Sequence, residues 1–143
     1  MAGGPARPAG RSVRVSALDQ SGLEVLDRTE CLRLLSTARY GRVVYTVDGL
    51  PAVQPVKFTV RDDTVWFQTA VRSALSSAAD GGVVAFEADA LSEEAAWWVT
   101  VLGRAMTTLS LAGPDLSWQP SPAVRELRVG VSIEVVSGRR FVG

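Results

Sequence analysis

The stretch Gly41-Arg42-Val43-Val44-Tyr45-Thr46-Val47-Asp48-Gly49-Leu50-Pro51-Ala52-Val53 decides the fold. Its first seven residues are rich in β-branched side chains, and Asp48-Gly49 is a strong signal for a two-residue hairpin turn. The chain then runs back through Pro51 to Val60. Arg61-Asp62-Asp63 makes a second short turn, and Thr64 to Thr69 forms a third strand. Three consecutive strands joined by tight turns make an antiparallel meander, because a parallel pair needs a long crossover.

Upstream of the meander the period is helical. Asp27 with Glu30 three residues on is a capping box, and Leu26 before the cap is placed to staple onto Cys31. Cys31, Leu32, Leu34, Leu35 and Ala38 give an apolar stripe, so Cys31 reads as a buried structural thiol. Downstream, a short helix is expected from about Ser73 to Ala79, a fourth strand over Val83–Ala88, and a long extended run over Ala95–Leu109. Gly103 marks a bend or bulge in that run. A Pro-rich loop carrying Trp118 leads to a last strand at about Val124–Val136. The reading is a mostly β domain over residues 21–143, a six-stranded antiparallel split β-barrel with short helices. Residues 1–20, rich in Gly, Pro and Arg, read as a flexible arm.

Composition narrows the chemistry. The chain has 143 residues, 47% hydrophobic and 21% charged, with zero formal net charge. That balance gives no broad field to attract nucleic acid or an anionic membrane. No apolar run reaches the ~18–20 residues that span a bilayer. One cysteine permits no intrachain disulfide, in keeping with a reducing cytoplasm. There is no histidine, which removes His-based triads and His metal sites. No catalytic side chain and no metal site is therefore expected. The work falls to Arg, the single lysine Lys57, carboxylates, hydroxyls, or a cofactor.

The segment Val65-Trp66-Phe67-Gln68-Thr69-Ala70-Val71-Arg72-Ser73-Ala74-Leu75 is the candidate binding motif. A strand turns through hydroxyl-bearing residues into a helix, which offers Thr69, Ser73 and free backbone N–H groups to an anion. A strand end with an ordinary N-cap explains the same residues. The segment holds one cation, Arg72. Trp97 and Trp98 must face opposite sides of their strand. One belongs to the core, and the other is available for a ring-stacking pocket or a dimer contact.

In sequence order, Gly41-Arg42-Val43, Asp48-Gly49-Leu50-Pro51, Pro55-Val56-Lys57-Phe58, Phe67-Gln68-Thr69-Ala70, Val83-Val84-Ala85-Phe86-Glu87, Gly103-Arg104-Ala105 and Gly138-Arg139-Arg140 resemble the pyridoxamine 5′-phosphate oxidase-like proteins. The likeness covers roughly residues 24–141. It implies the FMN-binding split-barrel fold, a homodimer, and FMN at the dimer interface. By that resemblance Pro55, Val56 and Lys57 contact the isoalloxazine ring, and Gln68, Thr69, Arg72 and Ser73 surround the phosphate. Trp98 reaches in from the second subunit. Trp118, from its place in a Pro-rich loop rather than from the resemblance, reads as a further ligand contact. Relatives commonly carry Arg and Lys where this chain has Gln68 and Ala74, so the phosphate motif is degenerate. Losing two charge-assisted bonds weakens phosphate binding by about two to four orders of magnitude. Restoring both cations is expected to recover FMN affinity.

Two functions follow from this reading. One is an FMN-binding oxidoreductase acting on a small molecule, in which the cofactor carries the redox chemistry. The other is a cofactor-free barrel whose interface cleft binds or transforms a hydrophobic small molecule. The short chain lacks the His- and Arg-bearing C-terminal motif of the true oxidase.

Overall fold

The computed structural model describes residues 17–110, 112–118 and 125–141. The element order is β1 (Glu24–Val25), α1 (Arg28–Leu35), β2 (Tyr40–Val47), β3 (Leu50–Lys57), β4 (Thr59–Arg61), β5 (Thr64–Ala70), α2 (Ala74–Ala79), β6 (Val83–Leu91), β7 (Ala96–Thr108), β8 (Glu126–Ser132) and β9 (Val135–Arg140). Every strand pair is antiparallel, in the order β3-β2-β6-β7-β8-β5-β4, with β9 also on β7 and β1 on β9. The sheet curls until β3 packs beside β5 without pairing to it, so the barrel is split. This is the mostly β, antiparallel architecture that the turn pattern predicts.

The expected six strands become nine among the described residues: β1 is an added two-residue strand, and two of the expected strands are each divided. The returning strand of the first hairpin is divided at Phe58 into β3 and β4. The final strand bends at Ile133-Glu134, where Ile133 N–H bonds Asp63 O at 3.0 Å and Glu134 N–H bonds Ser132 O at 3.0 Å. Residues beyond that bend pair as β9. The long β7 has β6 along one edge, and on its other edge first β9 and then β8. Gly103 lies where that edge changes partner, and a Cβ there would stand 1.6 Å from Ser132 O.

The turns behave as their residues dictate. Asp48 (φ 50°) and Gly49 (φ 80°) are both left-handed, which is the conformation of a type I′ hairpin turn. Asp62 and Asp63 repeat it at φ 55° and 54° between β4 and β5. Asp27 caps α1 by accepting from Glu30 N–H at 2.9 Å. The Glu30 carboxylate meets Arg33 and Arg140. These partners, Arg33 first, hold its pKa down at about 2.

Alternation sets the core. Val43, Val56, Val65, Phe67, Phe86, Val99, Val101, Val129 and Val131 are fully buried, and Phe58 meets Phe86 edge to face at 4.7 Å. From α1, Cys31 and Leu35 complete the layer, and burial raises the Cys31 thiol pKa. Of the arm expected over 1–20, residues 1–16 lie outside the described residues. Residues 17–20 are tied down: Leu18 bridges to Glu24, and Asp19 accepts from Arg139 Nε at 2.9 Å. No helix among the described residues is long and apolar enough to cross a membrane.

Candidate functional site

The split between β3 and β5 opens into a cleft of about 620 Å³ lined by Gln54, Gln68, Thr69, Ala70, Ser73, Trp118 and Glu126. Its volume falls in the range that holds cofactors and drug-sized ligands, roughly 300–1,000 Å³. One wall is the end of β5 and the turn into α2. Thr69 ends the inward row of β5, and Ser73 caps α2 by accepting from Ser76 N–H at 3.0 Å. The Thr69 and Ser73 hydroxyls lie 3.1 Å apart. One of their two protons holds that mutual bond, which leaves the other for a ligand.

Arg72 occupies the turn at φ 69°, a left-handed conformation that costs a non-glycine residue. Its side chain is exposed and is not part of the cleft lining. With only six residues, α2 sums few peptide dipoles. Attraction for an anion therefore rests on the two hydroxyls and Arg72.

The second wall is a strap, residues 112–118, laid across the outer face of β5 and β8. Gln68 is its anchor. Gln68 Oε1 accepts from Leu116 N–H at 2.7 Å and from Arg128 Nη2 at 3.2 Å. Gln68 Nε2 donates to Ser117 Oγ and to Glu126 Oε1, both at 3.0 Å. The Ser117 hydroxyl also donates to Glu126 Oε1. Asp115 accepts from Ser117 N–H at 3.0 Å, and that bond leads the causes that lower its pKa.

Further along the strap, Lys57 Nζ donates to Ser117 O at 3.2 Å, and Trp118 Nε1 donates to Pro55 O at 3.1 Å. The Trp118 ring stacks on Tyr40 at 5.2 Å and 19°.

Of the residues singled out from sequence, Gln68, Thr69, Ser73 and Trp118 line this cleft, and Lys57 and Pro55 touch it through the strap. Val56 shares the inward row of Gln54 but lies deeper, in the core at 1% exposure, and does not line the cleft. Trp98 stands on the outer face of β7, opposite Asp89 and Arg139, and is outside the lining. Sequence reasoning missed Gln54, Glu126, Ser117 and Tyr40. Gln54 had a signal, being a polar residue in the inward row Ala52-Gln54-Val56. The others become visible only once the strap is placed.

Glu126 gives the cleft lining a carboxylate and no lining residue is a cation. The cleft suits a large, mostly uncharged ring system with hydroxyls. A phosphate dianion finds no matching cation in that lining.

A family model described as Pyridoxamine 5′-phosphate oxidase matches residues 27–140. Among solved structures, the chain is similar to the FAD binding protein from Mycobacterium smegmatis. The two are 35% identical with a TM-score of 0.66, over 84% of this chain and 99% of that one. A Corynebacterium glutamicum protein provisionally named a pyridoxamine 5′-phosphate oxidase is 26% identical with a TM-score of 0.73, over 85% and 99%. An uncharacterized protein of Mycobacterium tuberculosis is 44% identical over 98 residues. That match covers 62% of this chain and 64% of the relative, just under two thirds of its length.

Proposed function

The chain belongs to the pyridoxamine 5′-phosphate oxidase-like family, and from that membership we propose that it binds a flavin in the cleft between β3 and β5 and acts as an oxidoreductase on a small molecule. The observation that carries this reading is the cleft itself, sized for a cofactor and bordered by the Thr69 and Ser73 hydroxyls. The likeness to an FAD binding protein over nearly its whole length supports it. In this reading Pro55, Lys57 and Trp118 border the ring, and Thr69, Ser73 and Arg72 meet the phosphate at the rim. A flavin, when bound, supplies two-electron redox chemistry, which suits a chain without histidine. Lys57 places a positive charge against that wall, where it favours a ring that has gained electrons.

FMN presents about −1.5 to −2 charges on one terminal phosphate, whereas a pyrophosphate spreads its charge over two groups. With Glu126 in the lining, the phosphate adds little to affinity. The test is a titration of the purified protein with riboflavin, FMN and FAD, read by visible absorbance after desalting. All three are expected to bind, with FMN at most about tenfold tighter than riboflavin. Glu126→Gln is expected to tighten FMN by about five- to tenfold and leave riboflavin unchanged. Failure of all three flavins to bind would sink the proposal.

Glu126 favours a second reading, a barrel that has given up the cofactor and holds a neutral hydrophobic molecule beside Trp118. In that case Glu126→Gln leaves the protein flavin-free. Both readings take a second copy of the chain as partner. An outward-facing apolar row supports this, running across five strands from exposed Val53 through half-buried Val44 and Ala85 to exposed Leu102 and Val135. The lone buried Cys31 is in keeping with a cytoplasmic setting.

A further inference from the structure

A second cavity, of about 240 Å³, lies on the far side of the strap from the cleft. It is smaller than the usual cofactor pocket of roughly 300–1,000 Å³, and its size suits a molecule of one or two rings. The indole of Trp66 borders it. The six-membered part of that ring lies across β8 at Gly130, where a Cβ would stand 2.6 Å from Cζ3. Only glycine at that position lets the indole lie down on the sheet, which gives the cavity a flat aromatic wall.

Two guanidinium groups border the same space. Arg128, 6% exposed, is fixed in place by its Nη2 bonds to Pro114 O at 2.8 Å and to Gln68 Oε1 at 3.2 Å. Arg61, on β4, is exposed at the mouth, and Asp62 beside it brings one carboxylate. Hydroxyls of Thr59 and Thr108 add neutral donors. Two Arg against one Asp leave a net charge of +1 on the lining, so one anionic group is matched and a dianion is not. Guanidinium pairs with carboxylate through parallel N–H bonds, which Arg61 can offer; Arg128, whose two Nη2 protons are already engaged, contributes its fixed positive charge. An aromatic ring stacks on indole in offset or edge geometry.

We propose that this cavity is a binding site for a small planar aromatic monocarboxylate, its ring against Trp66 and its carboxylate toward Arg61 and Arg128. The site stands on its own lining and does not rest on flavin binding. It is coupled to the first cleft by one side chain, since Arg128 borders this cavity and bonds Gln68, which lines the other.

The test uses the ¹⁵N-labelled full chain and sodium benzoate as the probe, with the Trp66 indole N–H signal assigned through Trp66→Phe. Benzoate is expected to shift that signal saturably, with a Kd on the order of 1 mM for so small a ligand. Arg61→Gln, an exposed change that leaves the fold intact, should weaken binding about threefold or more. Cyclohexanecarboxylate, with the same charge and no aromatic ring, should bind several-fold more weakly, and inorganic phosphate should not displace benzoate. Trp66→Leu should abolish binding, read from the backbone amide shifts of residues around the cavity, with circular dichroism checking that it folds.

Three results would overturn the assignment. One is the absence of a saturable Trp66 shift well above millimolar benzoate. Another is a shift confined to the Trp118 indole, which places the probe in the first cleft. The third is an affinity unchanged in both Arg61→Gln and the folded Trp66 variants.

Discussion

The amide of Gln68 has two donor protons and an acceptor oxygen with two lone pairs, and all four positions are used. From sequence it reads as a neutral replacement for a phosphate-binding cation. In the structure it ties the strap to the sheet, with partners 48 to 60 residues away in the chain. No local pattern encodes such a contact, which is why only the position was legible. Replacing both missing cations is therefore not a repair. Gln68→Arg sets a second guanidinium beside Arg128 and removes the acceptor for Leu116 N–H, so it should destabilise the fold and loosen the strap. Ala74→Lys alone, at the exposed first residue of α2, should tighten FMN by about tenfold without affecting stability. Parallel flavin titrations and urea melts of the two variants separate these outcomes. Gln68→Ala should cost about 2–4 kcal/mol, because it removes four hydrogen bonds and takes from Leu116 N–H its acceptor in a buried place.

At the scale of elements, the readable features were those in which a residue type solves a local problem. The Asp27 cap, the left-handed Asp48-Gly49 turn and the inward alternation of β2 and β5 are all decided within a few residues. Gly103 was legible as a special position, but its reason lies elsewhere in the chain. It admits Ser132 O at the point where β7 exchanges β9 for β8. Gly103→Ala should therefore cost at least about 3 kcal/mol or prevent folding, measurable as soluble yield and melting temperature. An alanine at Gly22, where nothing lies within 4 Å, meets no such contact and pays only for its left-handed φ of 82°. The anchoring of α1 has its own pH signature. The pKa of Glu30 falls from 4.5 to about 2 in the folded chain, chiefly through Arg33 and then Arg140. A depressed carboxylate stabilises the fold above its unfolded pKa and loses that contribution as pH falls through the folded one. Glu30→Gln should flatten the stability-versus-pH curve between about pH 4.5 and 2.

For the molecule as a whole, the face of the sheet away from the core carries the apolar row Val53, Val44, Ala85, Leu102 and Val135, of which Val53, Leu102 and Val135 are exposed. Beside it stands an ion cluster in which Arg42 Nη1 is 2.9 Å from both Glu87 Oε1 and Asp89 Oδ2. Alternating strands of this kind look like ordinary half-buried β in a sequence, so the continuity of the row appeared only with the register. Desolvation, then neighbouring Asp89, lifts the Glu87 pKa from 4.5 to about 7. The folded chain thus binds more protons than the unfolded chain between those values. Its stability should fall as pH rises from about 4.5 to 7, by about 1–2 kcal/mol after screening by Arg42 and solvent, and Glu87→Gln should remove that slope. If a second copy covers this face, burial of a cluster with two carboxylates and one guanidinium favours protonation further. Association should then be tighter at pH 6 than at pH 8, and Leu102→Glu should yield a monomer at micromolar concentration. Light scattering across that pH range, on the parent chain and the two variants, tests both statements. A parent chain that stays monomeric throughout removes the second copy as the partner for this face. A dimer unaffected by Leu102→Glu places the interface on another surface.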